Sequence, residues 1–328
     1  MAHAAATQQL GFELVSVASR STERAAALAE RFGTTAVAYA DLPGDADIVV
    51  VATPPQCHAD DALRMLEGGA AVLLEKPLCR TLVEADQLVA AAARHGGRLL
   101  YAENLAYAPI VHRMIALAPR VGALTHLEVR TLQGLPTWGA FTTDEWGGGA
   151  LFDLGVHPIA IALLVANAAG EGSPVAVSAR LRGAEGHDSD EHADVWLRYR
   201  TGLIAHVKSS WQAGPESQWD AQVAGATGVV RAELLPVQSL ELNGDEVALP
   251  MATGQIPMLE QLGYSEQLRT FAVDLAAQRE PVMSAAFGRH VLQVVAAAYQ
   301  SAGRRGDEVA LPFAGPRDLT PLQLWRRG

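Results

Sequence analysis

Cysteine is scarce in this sequence, which contains only Cys57 and Cys79 among 328 residues. Two cysteines are too few for a disulfide framework, and their spacing does not match a structural zinc site. Long hydrophobic runs are also missing, since the longest, near residues 159–166, is too short to cross a bilayer. We therefore expect a cytoplasmic protein without membrane association.

Positive charge is in short supply as well. The sequence has 25 Lys and Arg residues against 36 Asp and Glu residues, giving a net charge of -11. This balance argues against nucleic acid as a partner, because polyanions repel an acidic surface. Hydrophobic residues nevertheless make up 49% of the chain, which is enough for substantial cores, and the length favours two domains.

The first third of the sequence alternates between strand and helix patterns. Apolar strands are predicted at 13–18, 47–52, 71–74 and 98–102. Between them, one helix runs from a Ser21-Thr22 cap to Gly33, a second covers 59–67 after a turn at 53–55, and a third opens on a Thr81–Glu84 capping box. This alternation predicts a parallel α/β sheet covered on both faces.

The pattern changes after residue 104. Alternating strands are predicted at 125–133, 175–182, 193–200, 203–211 and 222–233 without long helices between them. Two apolar helices are predicted at 265–278 and 288–302, packing on this sheet or back against the first domain. We expect a parallel-sheet domain over 1–104, followed by an α+β domain over 105–328 with a large, mostly antiparallel open sheet.

Ligand sites in parallel sheets lie beyond the carboxyl ends of the strands. Four such ends carry polar residues: Ser19-Arg20-Ser21, Thr53-Pro54-Pro55 with nearby His58, Glu75-Lys76-Pro77, and Glu103-Asn104. In the second domain, Gly147-Gly148-Gly149 precedes Asp153 and His157, whose spacing of four predicts one shared helical face. A carboxylate and an imidazole would then converge on one site.

The order and spacing of these motifs, together with Gly225-Ala226-Thr227-Gly228, resemble one known family over nearly the whole chain. It is the family of glucose-fructose oxidoreductase, inositol dehydrogenase and the rhizopine-catabolism oxidoreductases (Gfo/Idh/MocA). The resemblance implies a dinucleotide-binding domain, a cis peptide bond after Lys76, and a second domain whose open sheet forms homo-oligomers. It also implies hydride transfer between NAD or NADP and a sugar-like or cyclic hydroxyl or carbonyl group.

One motif of that family is missing. The sequence contains no Gly-x-Gly-x-x-Gly, and Ala2-His3-Ala4-Ala5 resembles the family's helix after those glycines. We therefore expect the first strand and the phosphate loop to be missing, which leaves the Rossmann-type sheet incomplete. A start placed downstream of the loop and a natural truncation both remain open, and in-frame upstream codons would decide between them.

Hydride transfer from an alcohol needs a group that takes the hydroxyl proton and a cation that stabilises the oxyanion. We assign the acid/base role to His157 and the cation to Lys76, although the roles can also be reversed. Asp153 is expected to bind a substrate hydroxyl and to steady His157. Glu75 either orients Lys76 or the nicotinamide carboxamide, or it simply caps the chain locally.

The cofactor contacts are predicted from the strand ends. An acidic residue would hold the ribose of NAD, whereas Ser19, Arg20 and Ser21 suit the additional phosphate of NADP, so NADP is favoured and NAD remains possible. The remaining expected contacts lie along the ribose and nicotinamide path: Thr53, Pro54, His58, Glu75, Lys76, Pro77 and Asn104.

Two hypotheses of different class follow. The first is a catalytic oxidoreductase that contains Lys76, Asp153 and His157. The second is a non-catalytic family member that binds a sugar-like ligand or partner, and it rests on the missing loop and on Ala106 and Ala160, where relatives carry charged residues. Residues 187–192 are interpreted as a solvated loop rather than a metal site. Trp138 and Trp146 either wall the pocket or pack in the core.

Overall fold

The computed structural model describes residues 1–137, 139–183, 186–214 and 216–328. Its amino-terminal part contains short parallel strands that alternate with helices. The strands are β1 (Ser16–Val17), β2 (Thr35–Ala36), β3 (Ile48–Val51), β4 (Ala71–Glu75) and β5 (Leu99–Ala102). The helices are α1 (Ala2–Gln9), α2 (Thr22–Phe32), α3 (Pro55–Glu67) and α4 (Leu82–Arg94). The predicted α/β alternation is confirmed.

These parallel strands form two separate sheets, one of β1 and β2 and one in the order β3-β4-β5. Strand β4 is apolar along its whole buried length, and residues 71–74 are all 0% exposed, as expected for a strand with helices on both faces. The predicted strand at 13–18 was too long. Only Ser16 and Val17 pair with β2, while the carbonyls of Leu14 and Val15 accept the hydroxyl of Thr34.

Local capping explains where the helices of this part begin and end. Helix α2 begins after Ser21, whose hydroxyl accepts from the amide of Arg24, and it ends at Gly33 with φ +62°. The Thr81–Glu84 capping box opens α4 as predicted. Helix α3 begins at Pro55, four residues before its predicted start, because proline suits the first helical position, where no amide hydrogen is needed.

The second part contains a large sheet covered by helices on one face. Its strands are β6 (Leu124–Leu132), β7 (Ala176–Gly183), β8 (Asp190–Arg198), β9 (Ile204–Ser210), β10 (Gln218–Gly225), β11 (Gly228–Leu235), β12 (Ser239–Leu242), β13 (Asp245–Glu246) and β14 (Val309–Ala310). Its helices are α5 (Pro109–Leu117), α6 (Ala150–Asp153), α7 (Val156–Ala168), α8 (Pro257–Gln261), α9 (Tyr264–Ala276), α10 (Ala285–Gly303) and α11 (Pro321–Arg326).

Within the described residues, the strand order of this sheet is β13-β12-β11-β10-β6-β9-β8-β7-β14, and β6 and β9 form its one parallel pair. The mostly antiparallel sheet is therefore confirmed. The single strand predicted at 222–233 was wrong, because β10 and β11 form a hairpin there. The amides of Ala226 and Thr227 donate to the carbonyls of Ala123 and Val121, which holds the turn of that hairpin.

The core lies between the large sheet and its helices. Helix α7 is apolar on every side, and its residues from Val156 to Leu163 are all buried. Helix α10 packs on β7 and α7 and also on α4 and β5. The chain just before α10 pairs with the first domain, since the amide of Tyr101 donates to the carbonyl of Met283 over 2.7 Å. Of the two packings predicted for the terminal helices, α10 therefore shows both, on the large sheet and on α4 and β5.

Candidate active site

The candidate site forms where three parallel strands end. Strands β3, β4 and β5 run in register, so the segments that follow them leave the same edge of the sheet. These segments begin at Ala52, at Lys76 and at Glu103. The peptide bond between Lys76 and Pro77 is cis, as the resemblance implies. The edge therefore brings together three of the four predicted strand ends.

Glu75 is the last residue of β4, and both of its carboxylate oxygens are paired. Oε1 lies 2.6 Å from Nε2 of His3 in α1, and Oε2 accepts from the amide of Lys76 over 2.9 Å. Burial opposes ionisation, but the hydrogen bond and charge of His3, with the charge of Lys76, lower the pKa of Glu75 to about 2. Glu75 is thus an ionised carboxylate that fixes the backbone entering Lys76.

Lys76 crosses to the second domain and contacts Asp153. Its ammonium Nζ donates to Oδ1 of Asp153 over 2.9 Å and to the backbone carbonyl of the same residue over 3.0 Å. Burial disfavours the charged form, but Asp153, with the charges of Glu75 and Glu103, raises the pKa of Lys76 above its ordinary value. Lys76 is therefore a fixed cation, which favours the role of oxyanion donor over that of proton acceptor.

The glycine loop before Asp153 is held from behind by Asp190 on β8. Asp190 accepts from the amide of Gly149 over 3.1 Å, from the amide of Leu151 over 2.8 Å, and from the hydroxyl of Tyr299. A Cβ at position 149 would lie 2.0 Å from the carbonyl oxygen of Asp190, so this position requires glycine. The contact fixes the start of α6, which ends at Asp153.

The interpretation of residues 187–192 as a solvated loop was wrong in its second half. Ser189 and Asp190 are 1% and 0% exposed, because β8 begins at Asp190 and turns that carboxylate towards the glycine loop. Burial raises the pKa of Asp190 to about 6, although Tyr299 and the two amides favour its carboxylate form.

His157 is held by Glu103 and not by Asp153. Nδ1 of His157 lies 2.7 Å from Oε1 of Glu103, and the two residues are 4% and 0% exposed. The prediction that Asp153 steadies His157 was therefore wrong, and so was the single helical face. The helix breaks between them, since α6 ends at Asp153 and α7 begins at Val156. The indole of Trp219 on β10 lies 5.6 Å from the imidazole between ring centroids.

The predicted ribose contacts follow β1. Ser19 accepts from the amide of Ser21 over 3.3 Å, and the hydroxyl of Ser21 caps α2 through the amide of Arg24. Burial, with the charge of Asp61, raises the pKa of the Cys57 thiol in α3, and the charge of Arg20 opposes that shift. Arg20 itself is exposed after β1.

Several other residues predicted to contact the cofactor form hydrogen bonds within the protein. The ring of His58 is buried, and both of its nitrogens contact backbone carbonyls. Nδ1 lies 2.8 Å from the carbonyl oxygen of Pro77, and Nε2 lies 2.7 Å from that of Thr53. Burial lowers the pKa of His58, opposed by these two hydrogen bonds. The Thr53 hydroxyl donates to Asp61, and the Asn104 amide donates to the carbonyl of Leu262. The His58 ring thus ties the exits of β3 and β4 together, and its contact with the cofactor stays a prediction.

Pro54 and Pro77 lie at the exits of β3 and β4. Pro54 is the residue before α3, and Pro77 follows the cis peptide bond. Helix α1 begins at the same edge, since His3 in its first turn lies 2.6 Å from Glu75. The positive end of a helix dipole therefore lies beside the exit of β4.

The site's residues fit the two ends of a nicotinamide dinucleotide. Lys76 and Glu75 lie at the strand exit where the ring is expected, and Arg20 lies after β1, where the adenosine ribose is expected. The amino terminus of α1 supplies the dipole that favours phosphate. Among the described residues, no group of three or more His, Cys, Asp or Glu side chains is arranged to hold a metal ion.

Trp146 packs in the core. It is buried, and its ring centroid lies 4.4 Å from that of Phe141, which agrees with the second of the two interpretations of this tryptophan. Trp138 lies outside the described residues. No helix in the described part of the chain is long and apolar enough to cross a membrane.

Comparisons with known proteins agree with this architecture. The oxidoreductase family with an NAD-binding Rossmann fold matches residues 1–103, and the Gfo/Idh/MocA C-terminal domain matches residues 111–231. The crystal structure of GenD2 from gentamicin A biosynthesis, in complex with NAD, is similar with a TM-score of 0.83 and 26% identity. That similarity covers 94% of this chain and 92% of the other.

The similar curated proteins are named dehydrogenases and reductases. A putative UDP-kanosamine synthase oxidoreductase subunit of Amycolatopsis mediterranei is 29% identical over 335 residues, covering 92% of each chain. D-glucoside 3-dehydrogenase of Escherichia coli is 26% identical, covering 88% of each chain. A dTDP-3,4-didehydro-2,6-dideoxy-alpha-D-glucose 3-reductase of Streptomyces violaceoruber is 36% identical over 47% of this chain and 46% of that protein.

These names give the non-catalytic hypothesis no support. The two family matches cover both parts of the chain in the order expected from its motifs. The chain therefore belongs to the Gfo/Idh/MocA oxidoreductase family, and it is an oxidoreductase with an NAD-binding Rossmann domain.

Proposed function

We propose that this protein transfers a hydride between NADP and a hydroxyl or carbonyl carbon of a sugar-like substrate, with Lys76 and His157 as the catalytic residues. One observation carries the proposal: the Lys76 ammonium is fixed by Asp153 at a strand exit, and buried His157 stands in the same cluster. The bound nicotinamide would accept or supply the hydride.

The residues of the chain would supply the rest of the chemistry. Lys76 would donate a hydrogen bond to the substrate oxygen and stabilise its negative charge as the carbon–oxygen bond changes order. His157 would take the hydroxyl proton during oxidation and return it during reduction. Asp153 would hold Lys76 in place and offer its second oxygen to a neighbouring substrate hydroxyl. We propose that residues 1–104 hold the cofactor and 105–328 the substrate.

The choice of NADP rests on Arg20. Its guanidinium is exposed at the end of β1, and a monoanionic or dianionic phosphate is a stronger partner for it than a ribose hydroxyl. The substrate class rests on relatives named for glucosides and nucleotide-linked sugars, and on the relative named scyllo-inositol 2-dehydrogenase (NADP(+)) IolU, 25% identical over 73% of this chain. We also propose a reducing, cytoplasmic setting, in line with the free thiols of Cys57 and Cys79.

A fluorescence titration tests the cofactor, and an absorbance assay tests the reaction. NADPH should bind saturably and more tightly than NADH. Methyl glucoside and scyllo-inositol, each offered with NADP, should then be screened for reduced nicotinamide, with Lys76→Met and His157→Gln as variants expected to lose turnover by about 10²–10⁴-fold. The proposal would be overturned if neither NADPH nor NADH bound, or if both variants kept wild-type turnover.

We further propose that the open face of the large sheet forms a homo-oligomer. This face carries opposite charges in close pairs, including a two-pronged contact between Arg130 and Asp220 with both distances 2.8 Å. His206 lies between Glu128 and Asp194 at 3.0 and 2.9 Å. A surface with both signs interspersed can match a second copy of itself. Light scattering should show an oligomer that Arg130→Glu weakens; a monomer at all concentrations would contradict this.

A further inference from the structure

Glu103 is a fully buried carboxylate at one of the predicted strand ends, but the sequence assigns it no catalytic or cofactor-binding role. It follows β5 directly, and its own backbone is held by a bond from its amide to the carbonyl of Tyr101 over 2.8 Å. Its side chain is 0% exposed and reaches His157, which belongs to α7 of the second domain. The contact therefore joins the end of a cofactor-domain strand to the candidate acid/base residue.

This contact bears on which imidazole nitrogen carries a hydrogen. Oε1 of Glu103 lies 2.7 Å from Nδ1 of His157, and because a carboxylate accepts hydrogen bonds, the contact favours a hydrogen on Nδ1. A neutral imidazole has one N–H, which leaves Nε2 with a free lone pair. Within the ranges that the structure describes, the one side-chain hydrogen bond of His157 is at Nδ1, and none is formed at Nε2. Trp219 lies against the ring with an interplanar angle of 33° and limits its rotation.

The second oxygen of Glu103 argues against a purely structural role. Oε2 is buried and has no partner among the described residues, whereas Glu75 one strand away pairs both of its oxygens. A carboxylate kept only to stabilise the fold would be expected to satisfy both oxygens. The negative charge of Glu103 also reaches Lys76 and contributes to its raised pKa. Glu103 thus faces both proposed catalytic residues.

We propose that Glu103 is a positioning residue that holds His157 in the Nδ1–H tautomer, so that Nε2 is the atom that exchanges a proton with substrate. The inference rests on the proposed function. During oxidation, the substrate hydroxyl proton moves to Nε2, the hydride leaves the same carbon for the nicotinamide, and a carbonyl forms. The imidazole then carries hydrogens on both nitrogens, and the Glu103 carboxylate stabilises this cation. The reverse reaction returns the proton from Nε2 to the developing alkoxide.

The tautomer can be measured without cofactor or substrate. Long-range proton–nitrogen NMR spectra of the full chain, at a pH where the imidazole is neutral, should show His157 protonated at Nδ1, with the signal assigned by its loss in His157→Gln. Glu103→Met removes the acceptor and should shift His157 towards the Nε2–H form. Glu103→Gln keeps an acceptor oxygen and should retain the tautomer. Glu308→Gln, which removes the carboxylate of an exposed pair with Arg198, is the matched control and should change nothing at His157.

Turnover gives the second readout. Glu103→Met should lower kcat by about 10²–10⁴-fold with KM changed less than about threefold, because proton transfer and not binding is lost. Glu103→Gln should lower kcat by about tenfold, since the imidazolium loses its charged partner. If Glu103→Met does not fold, wild-type kcat in Glu103→Gln would overturn the inference. An Nε2–H signal in the wild-type protein would overturn it as well, whether or not the chain binds NADPH.

Discussion

The ion pair between Lys76 and Asp153 offers a test of how the two domains meet at the site. Asp153→Asn removes one negative charge but keeps an oxygen near Nζ, and the backbone carbonyl of residue 153 also remains as an acceptor. The substitution therefore measures charge more than hydrogen bonding. Of the charges that oppose the effect of burial on Lys76, those of Glu75 and Glu103 then remain and that of Asp153 is lost, so the pKa of Lys76 should fall.

The expected magnitude follows from the geometry. Two unit charges about 3 Å apart attract by roughly 5 kcal/mol at an effective dielectric constant of about 20. The Lys76 side chain is 20% exposed and that of Asp153 is 9% exposed, so water screens part of this attraction. The hydrogen bonds that an asparagine retains reduce it further. A coupling free energy of about 2 kcal/mol is expected from a double-mutant cycle of Lys76→Met and Asp153→Asn.

The measurement is urea unfolding of the four proteins in that cycle. Lys208 is the only other lysine of the chain, and it provides the control. Its Nζ lies 4.0 Å from Asp194, with side chains 33% and 24% exposed, so a cycle of Lys208→Met and Asp194→Asn should give a coupling below about 0.5 kcal/mol. If the Lys76 cycle gives a coupling no larger than the Lys208 cycle, the argument for a fixed Lys76 cation is wrong.

Three further predictions concern pH, cofactor choice and the glycine loop. The pKa of Glu75 is about 2 in the folded protein and 4.5 ordinarily, so Glu75 stabilises the fold above pH 4.5 and loses this effect as the pH falls towards 2. The free energy of unfolding of the wild type should exceed that of Glu75→Gln by less as the pH falls, and this difference should shrink by at most about 3 kcal/mol. A difference that does not depend on pH would contradict this. Arg20→Glu should weaken NADPH binding by about tenfold while NADH binding is unchanged or improved, and parallel losses for both would refute the assignment. Gly149→Ala should destabilise the fold by about 1–3 kcal/mol in thermal unfolding, because its Cβ would meet the Asp190 carbonyl at 2.0 Å; an unchanged melting temperature would show that the loop can relax.

The sequence predicts those parts of the fold that local patterns control. The apolar run of β4, the Ser21 cap and Gly33 stop of α2, and the Thr81 capping box each depend on a few neighbouring residues, and each appears as expected. The turn between β10 and β11 escaped prediction because backbone bonds to residues 121 and 123 hold it, and those contacts are distant in sequence. Strand β14 has two residues and gives no periodic signal.

The same distinction applies to the site. Lys76, Asp153 and His157 are visible in the sequence because their motifs have fixed spacing. Their partners are not visible, since the bond between Glu103 and His157 spans 54 positions and the bond between Asp190 and Gly149 spans 41. Helical spacing alone suggested that Asp153 and His157 act together. The break after α6 instead turns Asp153 to Lys76 and leaves His157 for Glu103.

The central claim is that the nicotinamide ring binds beside Lys76. The most direct test is the ratio of the dissociation constants for NADP, whose ring is cationic, and NADPH, whose ring is neutral. A fixed ammonium beside the ring should disfavour the oxidised form, so Lys76→Met should improve NADP binding relative to NADPH by about fivefold to tenfold. Lys208→Met should leave the ratio unchanged. Equal changes for both cofactor forms in Lys76→Met, or no change in their ratio, would contradict the claim.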